Sequence, residues 1–211
     1  MEYPDLTEME RRSKRYWNVD GIPEMVMGIV WIVWGAGFLV QNAIPKGSRF
    51  SSLESWILPI ALVGSGFAAS WIIKILKNKY TFPRGGYVKF NAPPRSQRIL
   101  TAVVAGLAAA VFAALFAFAA SGRFDANVFG PIIGLIMAVG FLFGSRQPGL
   151  RHFVWFSLIS LVFGAALYPL KLGWLALPWF FIVMGVPFIV AGVCRLRAYV
   201  RSVPLQGGDE S

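Results

Sequence analysis

Six long apolar stretches divide the chain, and short polar connections separate them. They lie at residues 22–43, 56–76, 99–120, 128–144, 153–169 and 174–194. Each has 17 to 22 residues, which as a helix is enough to cross a hydrocarbon layer about 30 Å thick. Only helices satisfy the backbone of a single stretch inside lipid. The pattern predicts an all-α, polytopic integral membrane protein with six transmembrane helices. The fourth and fifth stretches are short, so a bent or re-entrant pair is the alternative there.

The six predicted helices form three helical hairpins in series. In the last two hairpins, a proline near the start of the second helix precedes a phenylalanine by ten residues: Pro131 and Phe141, then Pro178 and Phe188. The first hairpin has a looser spacing of eight. A true repeat predicts a compact bundle around a pseudo-symmetry axis. The alternative, of equal weight, is chance likeness among apolar helices.

Glycines recur one helical turn apart in the fourth stretch. Two Gly-x-x-x-Gly motifs are formed by Gly130 with Gly134 and by Gly140 with Gly144. Because association inside lipid depends on close packing, small residues on one face favour helix contacts. We predict that these glycines pack helices within the bundle, with homo-oligomerisation through the same faces as the less favoured interpretation.

Composition and charge agree with a membrane protein and give its orientation. The chain is 56% hydrophobic and 14% charged, against about 25% charged in soluble domains. Sixteen of its 20 Lys and Arg lie on the side of both termini and four on the other. Cytoplasmic loops carry such an excess, so both termini are predicted to be cytoplasmic, in the inner or plasma membrane. The +10 net charge is therefore explained by topology and by anionic lipid headgroups, without a nucleic-acid partner.

These boundaries divide the chain into three parts. Residues 1–21 are the predicted cytoplasmic N-terminal segment, residues 22–195 the transmembrane bundle, and residues 196–211 the cytoplasmic tail. The first 20 residues lack the apolar core of a cleavable signal peptide. The first span is therefore expected to serve as an uncleaved targeting signal, with Asp20 capping its helix.

A cytoplasmic loop at residues 77–98 is the one sizeable polar connection. Two runs rich in aromatic and β-branched residues flank Pro83-Arg84-Gly85-Gly86, a pattern that predicts a short β-hairpin. Its cations and aromatic rings are the candidate lipid-binding or partner-binding residues: Lys79, Tyr80, Phe82, Arg84, Tyr87 and Lys89. We favour an interfacial connector over a docking surface for a protein partner. Nucleic-acid binding ranks last, because topology already explains the charges.

Ionisable side chains inside a membrane mark functional sites, and none lies near the middle of a predicted span. Glu24 is explained by the helix dipole, which favours an anion in the first turn. His152 and Cys194 have no second ligand at metal spacing. The sequence therefore predicts no catalytic residues, cofactor or metal, and no enzyme. Trp31 and Trp34 lie mid-span and are assigned to packing or lipid contact, with a ligand-facing pair as the alternative.

The last hairpin, at residues 153–199, carries a pattern of apolar and small residues. It comprises Leu158, Leu161, Phe163 and Gly164, a break at Tyr168-Pro169, then Gly185, Ile189 and Gly192, with a basic exit at Arg195 and Arg197. This pattern resembles the repeat unit of short-repeat, HdeD-type acid-resistance membrane proteins, over about a quarter of the chain. The loop at residues 79–90 is similar to one in uncharacterised bacterial multi-span proteins. The resemblance to HdeD-type proteins implies a six-helix inner-membrane protein linked to stress tolerance, with a non-enzymatic role.

The sequence thus predicts a non-catalytic multi-pass membrane protein, either a stress-associated bundle or an accessory subunit of a larger membrane assembly. The alternative is a small transporter or permease for a neutral or lipophilic solute. A transporter is expected to use the few polar side chains within the spans, such as Gln41, Asn42 and Ser65.

Overall fold

The regular structure of the described residues is helical throughout. A computed structural model describes residues 19–45, 49–85, 99, 103, 114, 125–147 and 149–203. Its helices are α1 (Ile22–Ala43), α2 (Arg49–Tyr80), α3 (Phe82–Gly85), α4 (Phe129–Gly144), α5 (Phe153–Leu167) and α6 (Ala176–Ser202). Short 3₁₀ turns at Ala126–Val128 and Gly173–Leu175 lead into α4 and α6. The predicted all-α class is confirmed for these residues, whereas most of the predicted third span lies outside them.

Within the described part of the chain, three helical stretches are long and apolar enough to cross a membrane: Ile22–Ala43, Ala126–Gly144 and Gly173–Ser202. The shorter apolar helix Phe153–Leu167 has 15 residues, or about 22 Å at the usual rise. The protein is therefore membrane-embedded.

Helix α1 begins with a tight turn that Asp20 and Gly21 form. The N-cap residue is Gly21 rather than the predicted Asp20, although the Asp20 carboxylate accepts a hydrogen bond from the backbone N–H of Ile22 at 3.2 Å. Gly21 has φ 69°, a left-handed conformation that glycine adopts without steric cost. Pro23 follows in the first turn, where its missing N–H breaks no helical bond.

The closest helix pair is α1 with α6, which run antiparallel. Three small-residue contacts occur at intervals of seven: Gly21 with Gly192, Gly28 with Gly185, and Gly35 with Pro178. A Cβ atom on Gly28 would lie 2.6 Å from the carbonyl oxygen of Gly185. Seven residues are two helical turns, so the contacts stay on one seam. In packing, α1 thus has α6 as its main partner rather than α2, the other helix of its predicted hairpin.

The second close pair is α4 with α5, across the predicted boundary between the second and third hairpins. A Cβ on Gly134 would lie 2.6 Å from the carbonyl oxygen of Ser160, and one on Gly164 2.6 Å from the Cα of Gly134. Gly130 lies against Leu167, whereas Gly144 lies beside the ring of Phe153. These glycines contact helices of the same chain.

Gly140 differs from the other predicted packing glycines. Among the described residues, no atom of another element lies within 4 Å of a Cβ built on it. Gly140 is exposed, so the described residues do not show it packing against another helix of the bundle.

Aromatic side chains fill the space where α1, α4, α5 and α6 meet. Phe156 of α5 stacks on Phe188 of α6 with ring centroids 4.1 Å apart. Trp31 of α1 and Phe141 of α4 lie 5.1 and 5.3 Å from the same Phe188 ring. Large rings bury much apolar surface and favour such tilted and offset contacts, so this cluster fixes the crossing of the four helices.

The β-hairpin predicted for residues 79–90 is wrong over the part that the structure describes. Helix α2 continues to Tyr80, and α3 follows at Phe82–Gly85. The backbone N–H of Thr81 bonds the carbonyl of Lys77 at 2.9 Å. Tertiary contacts of Lys77, Thr81 and Arg84 hold this segment helical, and such contacts override local β propensity. Residues 86–90 lie outside the described part.

Replacing Gly28 by alanine tests the α1–α6 seam. We expect Gly28→Ala to lower the free energy of unfolding by about 1–3 kcal/mol, because the new methyl group meets backbone and α6 must move. Gly37→Ala is the matched control, since no described atom lies within 4 Å of a Cβ there. The control should be neutral or slightly stabilising. Denaturant unfolding in detergent, followed by tryptophan fluorescence, measures both. Equal effects of the two variants would refute the seam.

A buried charge cluster beside an aromatic cavity

Two acidic side chains at the start of α1 are buried at one end of the bundle. Asp20 is 0% exposed and Glu24 is 3% exposed. The start of α1, the end of α2, the start of α5 and the C-terminal half of α6 meet around them. This is the end that the distribution of Lys and Arg predicts to be cytoplasmic.

Asp20 is fully satisfied by α1 and α2. Its carboxylate accepts from the ammonium of Lys77 at 2.6 Å and from the hydroxyl of Thr81 at 2.8 Å, in addition to the N–H of Ile22. Lys77 and Thr81 are each 1% exposed. A buried ion pair offsets its desolvation cost only with good geometry and further hydrogen bonds, and both are present here. This contact anchors α2 to the start of α1.

Glu24 joins α1 to α5 and α6 through one carboxylate oxygen. Its Oε1 accepts from the guanidinium of Arg195 and lies 3.1 Å from His152 Nε2. Arg195 Nη1 is also 2.9 Å from His152 Nε2, and Arg195 Nη2 donates to the carbonyl of Gly149 at 3.3 Å. With its hydrogen on Nδ1, His152 accepts from Arg195; with it on Nε2, it donates to Glu24. Either form keeps the three side chains together.

The second oxygen of Glu24 is exceptional. Among the described residues, Glu24 Oε2 is the buried side-chain oxygen or nitrogen that has no hydrogen-bond partner. Leaving such an atom unsatisfied costs about 1–3 kcal/mol, and more for a charged group. A buried polar atom without a partner therefore points to a bound molecule or to stored strain.

A cavity of about 210 Å³ adjoins Glu24. Four aromatic side chains line it: Trp31 of α1, Phe141 of α4, Phe153 of α5 and Phe188 of α6. Pro23, Met27 and Leu150 complete an apolar lining in which Glu24 is the one ionisable group. The volume exceeds the roughly 150 Å³ of an engineered cavity that binds benzene. A mainly apolar pocket with a single well-placed polar group is typical of sites for small lipophilic molecules.

The structure places the predicted loop residues in separate roles. Arg84 donates to the carbonyls of Val200 and Val203 at 3.1 and 2.9 Å and thus caps the end of α6. Lys79 is exposed, with its ammonium 5.5 Å from the centroid of the Tyr80 ring. Phe82 is half-buried, whereas Tyr87 and Lys89 lie outside the described residues.

The polar residues that a transporter was expected to use are not among those lining the cavity. Asn42 donates to the carbonyl of Phe38 in its own helix. Ser65 accepts from the indole N–H of Trp34 at 3.0 Å, which joins α1 to α2. Trp31, in contrast, lines the cavity, so only one member of the mid-span tryptophan pair faces it.

Sequence reasoning missed Glu24, His152 and Arg195 as a group. They are separated by 128 and 171 residues along the chain, and each has a local explanation at a helix end. The available signal was the pair of acidic residues, Asp20 and Glu24, directly at the start of an apolar stretch. Among the described residues, no group of three His, Cys, Asp or Glu side chains is arranged to hold a metal.

Asp20→Asn tests the anchor between α1 and α2. The substitution keeps the shape of the side chain but leaves the buried Lys77 ammonium without its counterion, so we expect a loss of about 3–5 kcal/mol in unfolding free energy. Asp125→Asn is the matched control, because Asp125 is exposed and asparagine also accepts the capping bond from Asn127. Chemical unfolding in detergent, monitored by circular dichroism, measures the difference. A loss below that of the control would contradict a stabilising role for the pair.

A functional assignment for this chain rests on the geometry of the charge cluster and cavity rather than on a known relative. The resemblance of residues 153–199 to HdeD-type proteins remains a prediction. Neither a protein-family model, a curated protein nor a solved structure matches this chain.

Proposed function

We propose that this chain is a non-catalytic, multi-pass membrane protein that binds a lipophilic solute between its helices, as a small permease or carrier. The observation that carries the proposal is the unpartnered Oε2 of Glu24 beside an apolar cavity. The buried acceptor gives a solute one fixed point of attachment. The aromatic walls supply apolar surface from four helices.

Access to the cavity supports a site for an exchanging solute. Met27, on the lining, is 44% exposed, so the cavity is not sealed on the side of α1. Its lining residues on α1 lie within the first three turns of that helix, close to the predicted cytoplasmic interface. A solute dissolved in the membrane would therefore reach it without crossing the polar cluster.

A non-catalytic role is supported by the chemistry around the cavity. The described lining offers a carboxylate but no hydroxyl, thiol or imidazole beside it to act as a nucleophile. His152 and Arg195 contact Glu24 Oε1 instead of lining the cavity. Binding is the function that these groups support without further partners.

Six spans with both termini cytoplasmic form part of the same proposal. Lys77, near the end of α2, lies at the Asp20 end of the bundle. Asn127, just before α4, lies at the opposite end, where its side chain accepts from the N–H of Gly173. Residues 86–124 must join these two ends, which supports a further crossing at the predicted third span.

A cavity-filling variant tests solute binding. Purified chain in phospholipid nanodiscs should bind radiolabelled 2-phenylethanol saturably, above the partitioning into empty nanodiscs. Leu150→Trp places a large ring in the cavity, so we expect it to weaken binding at least tenfold. Leu135→Trp is the matched control, because Leu135 of α4 is exposed and does not line the cavity. Binding that never saturates, or that survives Leu150→Trp, would refute the proposal.

An accessory-subunit or stress-associated role is the second candidate, and the Arg84 contacts favour it. By capping α6, Arg84 fixes the loop after α2 against the start of the tail. The predicted cytoplasmic face thereby gains a defined shape, beside the exposed cation of Lys79. A protein partner could recognise such a surface.

Charge reversal at Lys79 tests that role. If a partner docks on this face, Lys79→Glu should abolish its co-purification in mild detergent while leaving the Arg84 cap intact. Lys171→Glu is the matched control, because Lys171 is exposed at the opposite end of the bundle. Quantitative mass spectrometry of the purified complexes measures both. A partner retained equally by the two variants would argue against docking at Lys79.

A further inference from the structure

We infer that the cavity selects an amphiphilic organic ammonium, a molecule with an apolar body and a protonated amine. The inference rests on the proposed function, since it names the class of solute that the cavity holds. The juxtaposition that carries it is Glu24, whose buried Oε2 has no partner, in the lining of one cavity with the rings of Trp31, Phe141, Phe153 and Phe188.

The carboxylate decides which polar group a solute presents. An ionised carboxylate only accepts hydrogen bonds, so the partner of Oε2 must be a donor. Arg195 is already committed to Oε1, to His152 and to the Gly149 carbonyl. Apart from the indole N–H of Trp31, the described lining presents no side-chain donor and no cation, whereas Glu24 presents an acceptor, which disfavours an anion or a solute that only accepts.

The aromatic walls favour a cation over a neutral donor. Ring faces attract cations that lie within about 6 Å of the centroid, with Trp the strongest. The centroids of Trp31, Phe141 and Phe188 lie 5.1 to 5.9 Å from one another. A cation beside this group of rings therefore comes within reach of more than one of them. A hydroxyl donor gains no such attraction, and its bond to the carboxylate has one charged partner where the ammonium bond has two.

The cavity volume limits the body of the solute. At about 210 Å³, it accommodates one aromatic ring with a short amino-alkyl chain, given the benzene reference. The same ammonium chemistry is available from a free lipophilic amine or from the headgroup of an ethanolamine lipid. Both present an N–H donor and a positive charge to Glu24, and an experiment distinguishes the two sources.

The test compares isosteric probes on the full chain in phosphatidylglycerol nanodiscs. Radiolabelled 2-phenylethylamine and 2-phenylethanol differ only in the donor group. After subtraction of binding to empty nanodiscs, we expect the amine to bind roughly tenfold more tightly, because the ammonium adds its own positive charge to the bond with the Glu24 carboxylate. Glu24→Gln should weaken amine binding much more than alcohol binding and so remove most of this preference, because the glutamine amide is neutral and its NH2 donates to a hydroxyl but not to an ammonium. The glutamine oxygen still accepts from Arg195.

A second variant leaves Glu24 and its contacts in place. Trp31→Leu removes the strongest cation-binding ring and keeps an apolar wall, so we expect it to weaken the amine several-fold more than the alcohol. If Glu24→Gln does not fold, this comparison alone tests whether the cavity prefers the amine. Equal losses for both probes would show that Trp31 contributes apolar contact only and would overturn the preference for a cation.

The outcomes separate this inference from the proposed function. Saturable binding of the alcohol with no preference for the amine overturns the inference and leaves a lipophilic-solute site. No saturable binding of either probe overturns both. A preference that is undiminished in Glu24→Gln does not come from Glu24 and also overturns the inference.

A final experiment adds an ethanolamine lipid to the nanodiscs. When phosphatidylethanolamine replaces part of the phosphatidylglycerol, competition with the amine assigns the site to a lipid headgroup. An unchanged amine affinity assigns it to free amines. Both results support ammonium recognition.

Discussion

Backbone contact between α1 and α6 sets the position of the charged groups around the cavity. Gly21 and Gly28 lie against Gly192 and Gly185, so the two helix axes come closer than side chains would allow. Glu24 and Arg195 each follow a contacting glycine by three residues. The seam therefore brings an acid and a base from opposite ends of the chain within contact distance. Bulky residues on the seam would separate the helices and break the contact between Glu24 and Arg195.

The two buried acids solve the problem of charge burial differently. Asp20 receives a cation, a hydroxyl and a backbone N–H, and is closed to any other partner. Glu24 concentrates its contacts on one oxygen and leaves the other without a partner, while the residue lines the aromatic cavity. Because an unsatisfied buried carboxylate oxygen is costly, a protein gains from keeping one only where something binds to it. The first acid thus stabilises the bundle, and the second is suited to recognition.

Much of the fold could be predicted from local sequence patterns, whereas the site depends on contacts between residues that lie far apart in the sequence. The first apolar stretch was predicted at the bounds of α1, because an apolar run with Pro23 and Asp20 at its start is a local signal. Helix α6 runs to Ser202, eight residues beyond the predicted 194. Its extension is held by the Arg84 cap, which comes from a residue more than a hundred positions away. The predicted β-hairpin was wrong for the same reason, since the contacts of Lys77, Thr81 and Arg84 decide that segment.

The glycine spacing shows where sequence reasoning could have gone further. Gly21, Gly28 and Gly35 repeat at seven residues, as do Pro178, Gly185 and Gly192. Each series can be read from the sequence of its own helix. That the two series face each other depends on the first and last helices being neighbours, which no local property of either one determines.

The pairing of residue 24 with residue 195 gives synthesis a defined order of events. When α1 enters the membrane, Arg195 has not been made, and Glu24 has no cation to neutralise it. The first helix therefore remains electrostatically incomplete until the last helix has been inserted. A chain truncated before α6 would lack the guanidinium that Glu24 contacts in the finished protein, and His152 would be its remaining side-chain partner among these groups.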